Sequence, residues 1–420
     1  MKIGLLGHDQ QILSVALAAV AAGDQVGPII DGPESLPASL LTTDRLAASE
    51  WQLLLESNRC DAVLVGIDNW NDERAEQVRT LVQAGRPLLI GHPPCLSMLW
   101  AYELDMMLAD TTATVVPFLP ARQHPLISDL KALLEQALAG SGPFGAIETL
   151  RLERRQPDRD REAVLASFSR DTDLIRVLVG DPARLLALGS GNDATWPTLA
   201  IGLTGPNQLP VRWQVAKGQP AGLTIELVCA NGTVRLDAPD AGDWQLHEQS
   251  DQPDENGHPQ QPAQSASGSR YAPGEIMLAT LRDQLVKPPA PPPPSSLPPA
   301  TWPDAARAIE LAETVPRSLK RGRTIDLHQE EFSELGTFRG TMASLGCGII
   351  MVGLLVLFLA TLVGGVARAA GWEFAERLAG IWPYVILGTL LLFLALQLLP
   401  LLLPRSTGPS GPVPPDQPEA

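Results

Sequence analysis

The stretch Asp61 to Ile67, DAVLVGI, decides the fold. Four apolar residues run without a polar interruption, as in a strand covered on both faces, and such runs belong to parallel sheets. Reading outward, Glu73 to Ala84 has helical spacing, Gly85 stops it, and Pro87 to Ile90 forms the next strand. Upstream, Lys2 to Leu6 is a short buried strand ending at Gly7. A helix follows with Ile12, Val15, Ala16, Ala19 and Val20 on one face and Gly23 at its end, and Gln25 to Ile30 is a further strand ending at Asp31. Strands alternating with helices across short turns predict a Rossmann-type parallel, doubly wound sheet over residues 1–120.

Ligands of such sheets bind beyond the carboxyl ends of the strands. That rule nominates Gly7, His8, Asp9, Gln10, Asp31, Ile67 and His92 as cofactor-side residues. An acid at the end of the second strand, here Asp31, commonly holds the ribose hydroxyls of NAD. The phosphate-binding turn departs from G-x-G-x-x-G, because the stretch is Gly7-His8-Asp9-Gln10-Gln11-Ile12 and only the first glycine is present. A carboxylate at position 9 repels a pyrophosphate, while Asp also caps helices well. NAD or NADP is therefore expected to bind weakly or not at all.

Residues 121–330 read differently. Short alternating runs at Ile147 to Leu152, Arg184 to Leu188, Thr198 to Leu203, Val211 to Val215, Leu223 to Cys229 and Thr233 to Leu236, with a hairpin signal at Asn231-Gly232, predict an α+β domain with a mostly antiparallel sheet. Its sheet face is a candidate surface for a homo-oligomer. Residues 248–270 are polar and 288–303 proline-rich, and both are expected to be disordered or extended. Arg154, Arg155, Arg159 and Arg161, interleaved with Asp158, Asp160 and Glu162, are expected to form a solvated surface.

The order of motifs resembles the glucose–fructose oxidoreductase and inositol dehydrogenase family over roughly residues 1–330. DAVLVGI is similar to that family's strand before its substrate-side loop, and Ala84 to Ile90 (AGRPLLI) is similar to its A-G-K-h-V-h segment. Arg122 with Pro125, the turn at Gly142 to Ile147, the helix Asp173 to Gly180 (DLIRVLVG), and Ala305 to Ala312 with Ser318 and Gly322 to Leu327 resemble successive pieces of its second domain. The resemblance implies a nicotinamide-dependent oxidoreductase of sugars or polyols. Its E-K-P motif falls on His92-Pro93-Pro94, and its D-x-x-x-H pair on Ala166 and Arg170. Proline has no proton to give and arginine stays protonated, so the usual acid–base groups are missing. His92 is a minority candidate for the base, the catalytic residues are otherwise unknown, and Arg122, Arg170 and Asp173 are the substrate-side candidates.

Two uncharged stretches, 342–366 and 381–404, each exceed the ~20 apolar residues of a membrane-spanning helix, with a disordered tail at 405–420. Arginines and Lys320 flank them, and the start of the chain does not read as a secretory signal. These features lead us to expect a multi-pass inner-membrane protein in contact with the bilayer, its main domain in the cytoplasm. The formal net charge of −16 disfavours a nucleic-acid partner. Cys60, Cys95, Cys229 and Cys347 lie far apart without a C-x-x-C pair, so no metal site or disulfide framework is expected. Three functions remain: a catalytically degenerate, membrane-anchored scaffold or ligand sensor with an oxidoreductase fold; an active NAD(P)-dependent oxidoreductase on a sugar-like or polyol substrate; and a membrane-associated assembly protein without nucleotide binding, its protein partner unknown.

Overall fold

The computed structural model describes residues 1–33, 45–190, 195–251, 263–265, 270–285 and 297–327, with a few scattered residues between 358 and 371. The chain divides into two units, 1–328 and 329–420, and the fold below is that of the first.

The first sheet contains β1 (Lys2–Leu6), β2 (Gln25–Ile30), β3 (Arg45–Leu46), β4 (Ala62–Val65), β5 (Leu88–Ile90) and β6 (Val115–Pro117), in spatial order β3-β2-β1-β4-β5-β6. Every pair is parallel. All four residues of β4 are fully buried, as the unbroken run Ala62 to Val65 requires. Helices α1 (Gln10–Ala21), α2 (Asp72–Gln83) and α3 (Met98–Ala109) cover the sheet. The side chains of β4 divide between two cores. Ala62 and Leu64 join Ile12, Val15 and Ala16 of α1, while Val63 and Val65 join Val78 and Leu81 of α2. The strand order reverses between β1 and β4, and that reversal is where a doubly wound sheet opens its ligand crevice.

After α4 (Pro125–Leu138) the second sheet is built from β7 (Ile147–Gln156), β8 (Arg184–Ser190), β9 (Thr198–Thr204), β10 (Pro210–Lys217), β11 (Gly222–Cys229), β12 (Gly232–Pro239), β13 (Gln245–Ser250), β14 (Ala263–Ser265) and β15 (Ile325–Asp326). Helix α5 (Arg161–Val179) lies between β7 and β8 in the chain. The order is β14-β13-β12-β11-β7-β10-β9-β8-β15. β7 and β10 run parallel and every other pair is antiparallel, so the sheet is mostly antiparallel, as the alternation predicts, with one parallel pair inside it. Strand direction leaves no mark on a period-two pattern, and the helix α5 is what allows the parallel return. β13 overlaps the start of the polar stretch 248–270 and β14 falls within it, and the two pair antiparallel at the sheet edge; residues 252–262 and 266–269 of that stretch lie outside the described residues.

Helices α6 (Pro273–Leu285) and α7 (Trp302–Arg321) return to the first sheet. Met277, Leu278 and Leu281 of α6 complete the core around α1. Along α7, Trp302, Ala305, Ala306 and Ile309 join the core of the first sheet, and Leu311, Ala312 and Val315 join that of the second. One amphipathic helix thus ties the two sheets into one body.

The membrane expectation is corrected. Among the described residues no helix is long and apolar enough to cross a membrane. The longest, α7 and α5, carry charges along their length, including Asp304, Arg307, Glu310 and Glu313 on α7. A multi-pass inner-membrane protein with a cytoplasmic main domain is therefore not what the structure supports; uncharged sequence is necessary for a span but does not establish one. The stretches 342–366 and 381–404 and the tail 405–420 lie outside the described residues, save scattered positions such as Phe358, Leu359, Leu362 and Val366.

Candidate functional site

At the reversal point β1 ends in Gly7, whose φ of +72° suits glycine, and its N–H donates to the Ile30 carbonyl at 2.9 Å. Gly66 follows β4, and a Cβ there would lie 2.3 Å from the backbone nitrogen of His8. The two strand ends therefore approach more closely than any other residue type would allow.

Asp9 sits in this gap. It caps α1, and its carboxylate accepts from the Ile12 N–H at 2.8 Å and from the Ile67 N–H at 2.7 Å. The side chain is only 5% exposed. Burial pushes its pKa up, against the pull of the Ile12 and Ile67 N–H groups. The N–H groups of a helix N-terminus at this place in the fold are the natural cradle for a phosphate. Here a carboxylate of the chain itself occupies them.

Asp31, in a left-handed conformation with φ of +52°, is half-exposed and receives the Arg74 guanidinium at 2.5 Å. Arg74 comes from α2 and reaches across Gly7: a Cβ on Gly7 would lie 1.6 Å from Arg74 Nη1. Its other bonds run to the Gln77 side chain and the Gly66 carbonyl. Both features expected of a dinucleotide site, the acid for the ribose and the bare glycine turn, are thus engaged internally. The residues present do not fit a dinucleotide lying across this turn.

His92, at the end of β5, is fully buried. Gln11 holds its backbone, accepting from the His92 N–H at 3.0 Å and donating to its carbonyl at 3.3 Å. The imidazole Nε2 lies 2.9 Å from Ser169 Oγ, and Nδ1 has no partner among the described residues. Burial, with Arg170 nearby, pulls its pKa down to about 3. The ring is neutral at ordinary pH and sealed from solvent. A general base works best with a pKa near the operating pH and in reach of its proton, so His92 does not fit that role in this conformation.

A cleft of about 490 Å³ runs along these strand ends to the second sheet. Of the residues expected from sequence, Asp9, Gln10, Ile67, Arg170 and Asp173 line it; Gly7, His8, Asp31, His92 and Arg122 do not. The far wall includes Arg154, Asp171, Trp244 and Tyr271. Arg122 is spent on structure. Its guanidinium makes a two-pronged ion pair with Asp173 and donates to Asp304 at 3.1 Å, and the Arg122 and Asp173 side chains are 5% and 2% exposed. Burial works against its charge, but the two carboxylates outweigh it and hold the guanidinium above its ordinary pKa. Arg154 also departs from expectation: it is buried, not solvated. It clamps Asp171 with both prongs and reaches Asp240 at 2.8 Å, while the Trp213 indole donates to Asp171 at 2.9 Å. On β7 residues 150, 152, 154 and 156 point inward, so the alternation that buries Leu150 and Leu152 carries Arg154 in with them. That phase was the signal available in the sequence. Gln11, Arg74 and Ser169 gave none, since each acts through a partner distant in the chain.

No protein-family model matches the chain, and no curated protein matches it by sequence. Solved structures do match by shape. Levoglucosan dehydrogenase in complex with NADH and L-sorbose superposes with a TM-score of 0.58 at 16% identity, covering 78% of this chain and 99% of that one. A structure provisionally assigned as a myo-inositol dehydrogenase from Sinorhizobium meliloti matches with a TM-score of 0.56 at 16% identity, covering 78% and 100%. The chain carries the fold of the glucose–fructose oxidoreductase and inositol dehydrogenase family. An oxidoreductase from Agrobacterium radiobacter in complex with NAD+, L-tartaric acid and magnesium matches at 18% identity with a TM-score of 0.54, covering 78% and 98%. Identities this low speak for the fold, and the chemistry rests on the residues in the cleft. Among the described residues no cluster of His, Cys, Asp or Glu could hold a metal ion.

Proposed function

We propose that this oxidoreductase-fold protein binds a small polar ligand in the cleft between its two sheets and serves as a ligand sensor or scaffold that does not turn over NAD(P). The observation that carries this reading is the Asp9 carboxylate on the Ile12 and Ile67 N–H groups. A negative charge already fills the position that would receive the pyrophosphate, and a second anion there meets repulsion in a low-dielectric gap. The Arg74–Asp31 pair over Gly7 works in the same direction. Pro93, Ala166 and Arg170 supply no proton acceptor for an alcohol substrate, a group worth typically ~10²–10⁴-fold in rate.

The second reading is an active NAD(P)-dependent oxidoreductase on a sugar-like or polyol substrate. The NADH-bound and NAD+-bound fold neighbours favour it. It requires Arg74 to swing off Gly7 and Asp9 to leave its two donors or take up a proton. Titration of the full chain with NADH and NADPH, followed by fluorescence, together with turnover on a panel of polyols, separates the two. The first reading expects no saturable binding at millimolar nucleotide and no turnover. Micromolar binding with polyol-dependent reduction of NAD+ or NADP+ establishes the second instead.

A further inference from the structure

Three arginines of the second domain lie near the cleft, of which Arg154 and Arg170 line it, and two of the three are neutralised. Arg122 and Arg154 each hold two carboxylates. Arg170 is the exception. Among the described residues no carboxylate lies within ion-pair distance of it, and its one hydrogen bond runs from Nη2 to Ser167 Oγ at 3.1 Å. None of its nitrogens is a buried atom lacking a partner, so the unpaired N–H groups open onto the cleft that Arg170 lines. The electrostatics agree. Burial and the neighbouring Arg154 guanidinium pull the Arg170 pKa down, and Asp171, Asp240 and Tyr271 do not reverse it. The group remains a cation, since arginine is not deprotonated in proteins. An arginine with open donors presents a planar fork that matches a carboxylate.

The rest of the cleft narrows the ligand. The opposite wall bears Asp9 and Asp68 with Gln10. A second anionic group would be repelled there, whereas hydroxyls could donate to Asp68 and to the Gln10 amide oxygen. The Trp244 and Tyr271 rings, 4.7 Å apart and tilted by 33°, form an aromatic side wall against which C–H faces can pack. Resting on the reading that this cleft is a ligand site, we propose that it binds a polyhydroxy monocarboxylate, a sugar acid of the aldonate or uronate class, with the carboxylate on Arg170 and the hydroxyls toward Asp68 and Gln10.

The test uses calorimetric titration of the full chain with D-gluconate, with sorbitol as the neutral polyol of the same length, and with inorganic phosphate. Gluconate is expected to bind about tenfold or more tighter than sorbitol, the difference one charge-assisted contact makes. Arg170→Gln is expected to erase that preference, and Arg170→Lys to keep part of it. Without ligand, Arg170→Gln is expected to melt no lower than the natural protein, because no internal ion pair is lost; an arginine kept for structure would show a clear drop. Equal affinity for gluconate and sorbitol overturns the carboxylate assignment while leaving a polar-ligand cleft in place. Phosphate binding as tightly as gluconate overturns the ligand class, unchanged gluconate affinity in Arg170→Gln overturns the residue assignment, and no binding of any probe overturns the proposal. NADH titration is read separately, so nucleotide turnover counts against the sensor reading without deciding the result at Arg170.

Discussion

Asp9 and Arg170 face one cleft from different domains, and their charges meet opposite fates. On the Rossmann side the two charged groups that flank Gly7 are met from within: Asp9 by two backbone N–H groups, Asp31 by Arg74. On the sheet-domain side Arg122 and Arg154 are likewise paired, yet Arg170, one turn along the same helix from Asp173 and beside Asp171, is left open. Side chains that have found partners inside the protein contribute to stability and have little left for a ligand. On the proposed reading, the charged contact to the ligand comes from the second domain, although the fold's usual nucleotide crevice is in the first.

The largest effect tests the paired arginines. Arg122→Ala strands Asp173 in a buried position, and breaking a buried pair on one side costs about 3–5 kcal/mol. Chemical denaturation of the single variant should show that loss, and the double variant Arg122→Leu, Asp173→Leu should recover most of it. A loss under about 1 kcal/mol in the single variant, the level of an exposed pair, would mean that Arg122 is not the closed structural group described here.

Asp9→Gly comes next. It removes the cap of α1, which costs only about a few tenths of a kcal/mol when glycine is the replacement, and the charged hydrogen bond to Ile67, worth about 1.5–3 kcal/mol. It also frees the two N–H donors, so NADH affinity should rise while stability falls. If NADH binds no better to Asp9→Gly, and no better to Asp9→Gly with Arg74→Ala, the carboxylate is not what excludes the dinucleotide.

The two regions should also differ in acid. Burial raises the Asp9 pKa above 3.8, so its contribution is fully present below 3.8 and is lost as pH rises through the folded value. At Asp304 burial pushes the pKa up, but Arg122, Arg176 and the Thr301 N–H outweigh it and hold the carboxyl low, so its contribution is present above 3.8 and is lost as pH falls through the lower folded value. Melting of the natural protein against Asp9→Asn should therefore shift in the natural protein's favour as pH falls toward 4. Against Asp304→Asn it should shift the other way below that range. Shifts of the same sign in both variants contradict the assignment.

The smallest effect belongs to the exposed pair. Asp31 is 51% exposed, so Asp31→Asn should cost under about 1 kcal/mol, and less still in high salt. A loss above 2 kcal/mol in urea titration would show that the Arg74 bridge across Gly7 is a structural lock like Arg122.

Much of the fold was legible in local pattern. Lys2 to Leu6 and the run Ala62 to Val65 are strands because short apolar sequence between turn residues has one economical use, a sheet covered on both faces. Asp9 was legible both as a helix cap and as a poor phosphate site, since both follow from one carboxylate beside a helix N-terminus. What tertiary structure alone decided was the pairing of charges. Arg122, Arg154 and Arg170 look alike in sequence, and their partners Asp304, Asp240 and Ser167 lie 182, 86 and 3 residues away. The parallel pairing of β7 with β10 and the passage of α7 through both cores were equally hidden, being matters of which surfaces meet. The long uncharged stretches near the C-terminus mark the same limit from the other side: hydropathy is a property of the chain, whereas a membrane span is a property of a helix that the described structure does not contain. Periodicity and capping are set within a few residues and survive in the sequence. The neutralisation of a charge depends on distances between elements, and only the folded chain sets those.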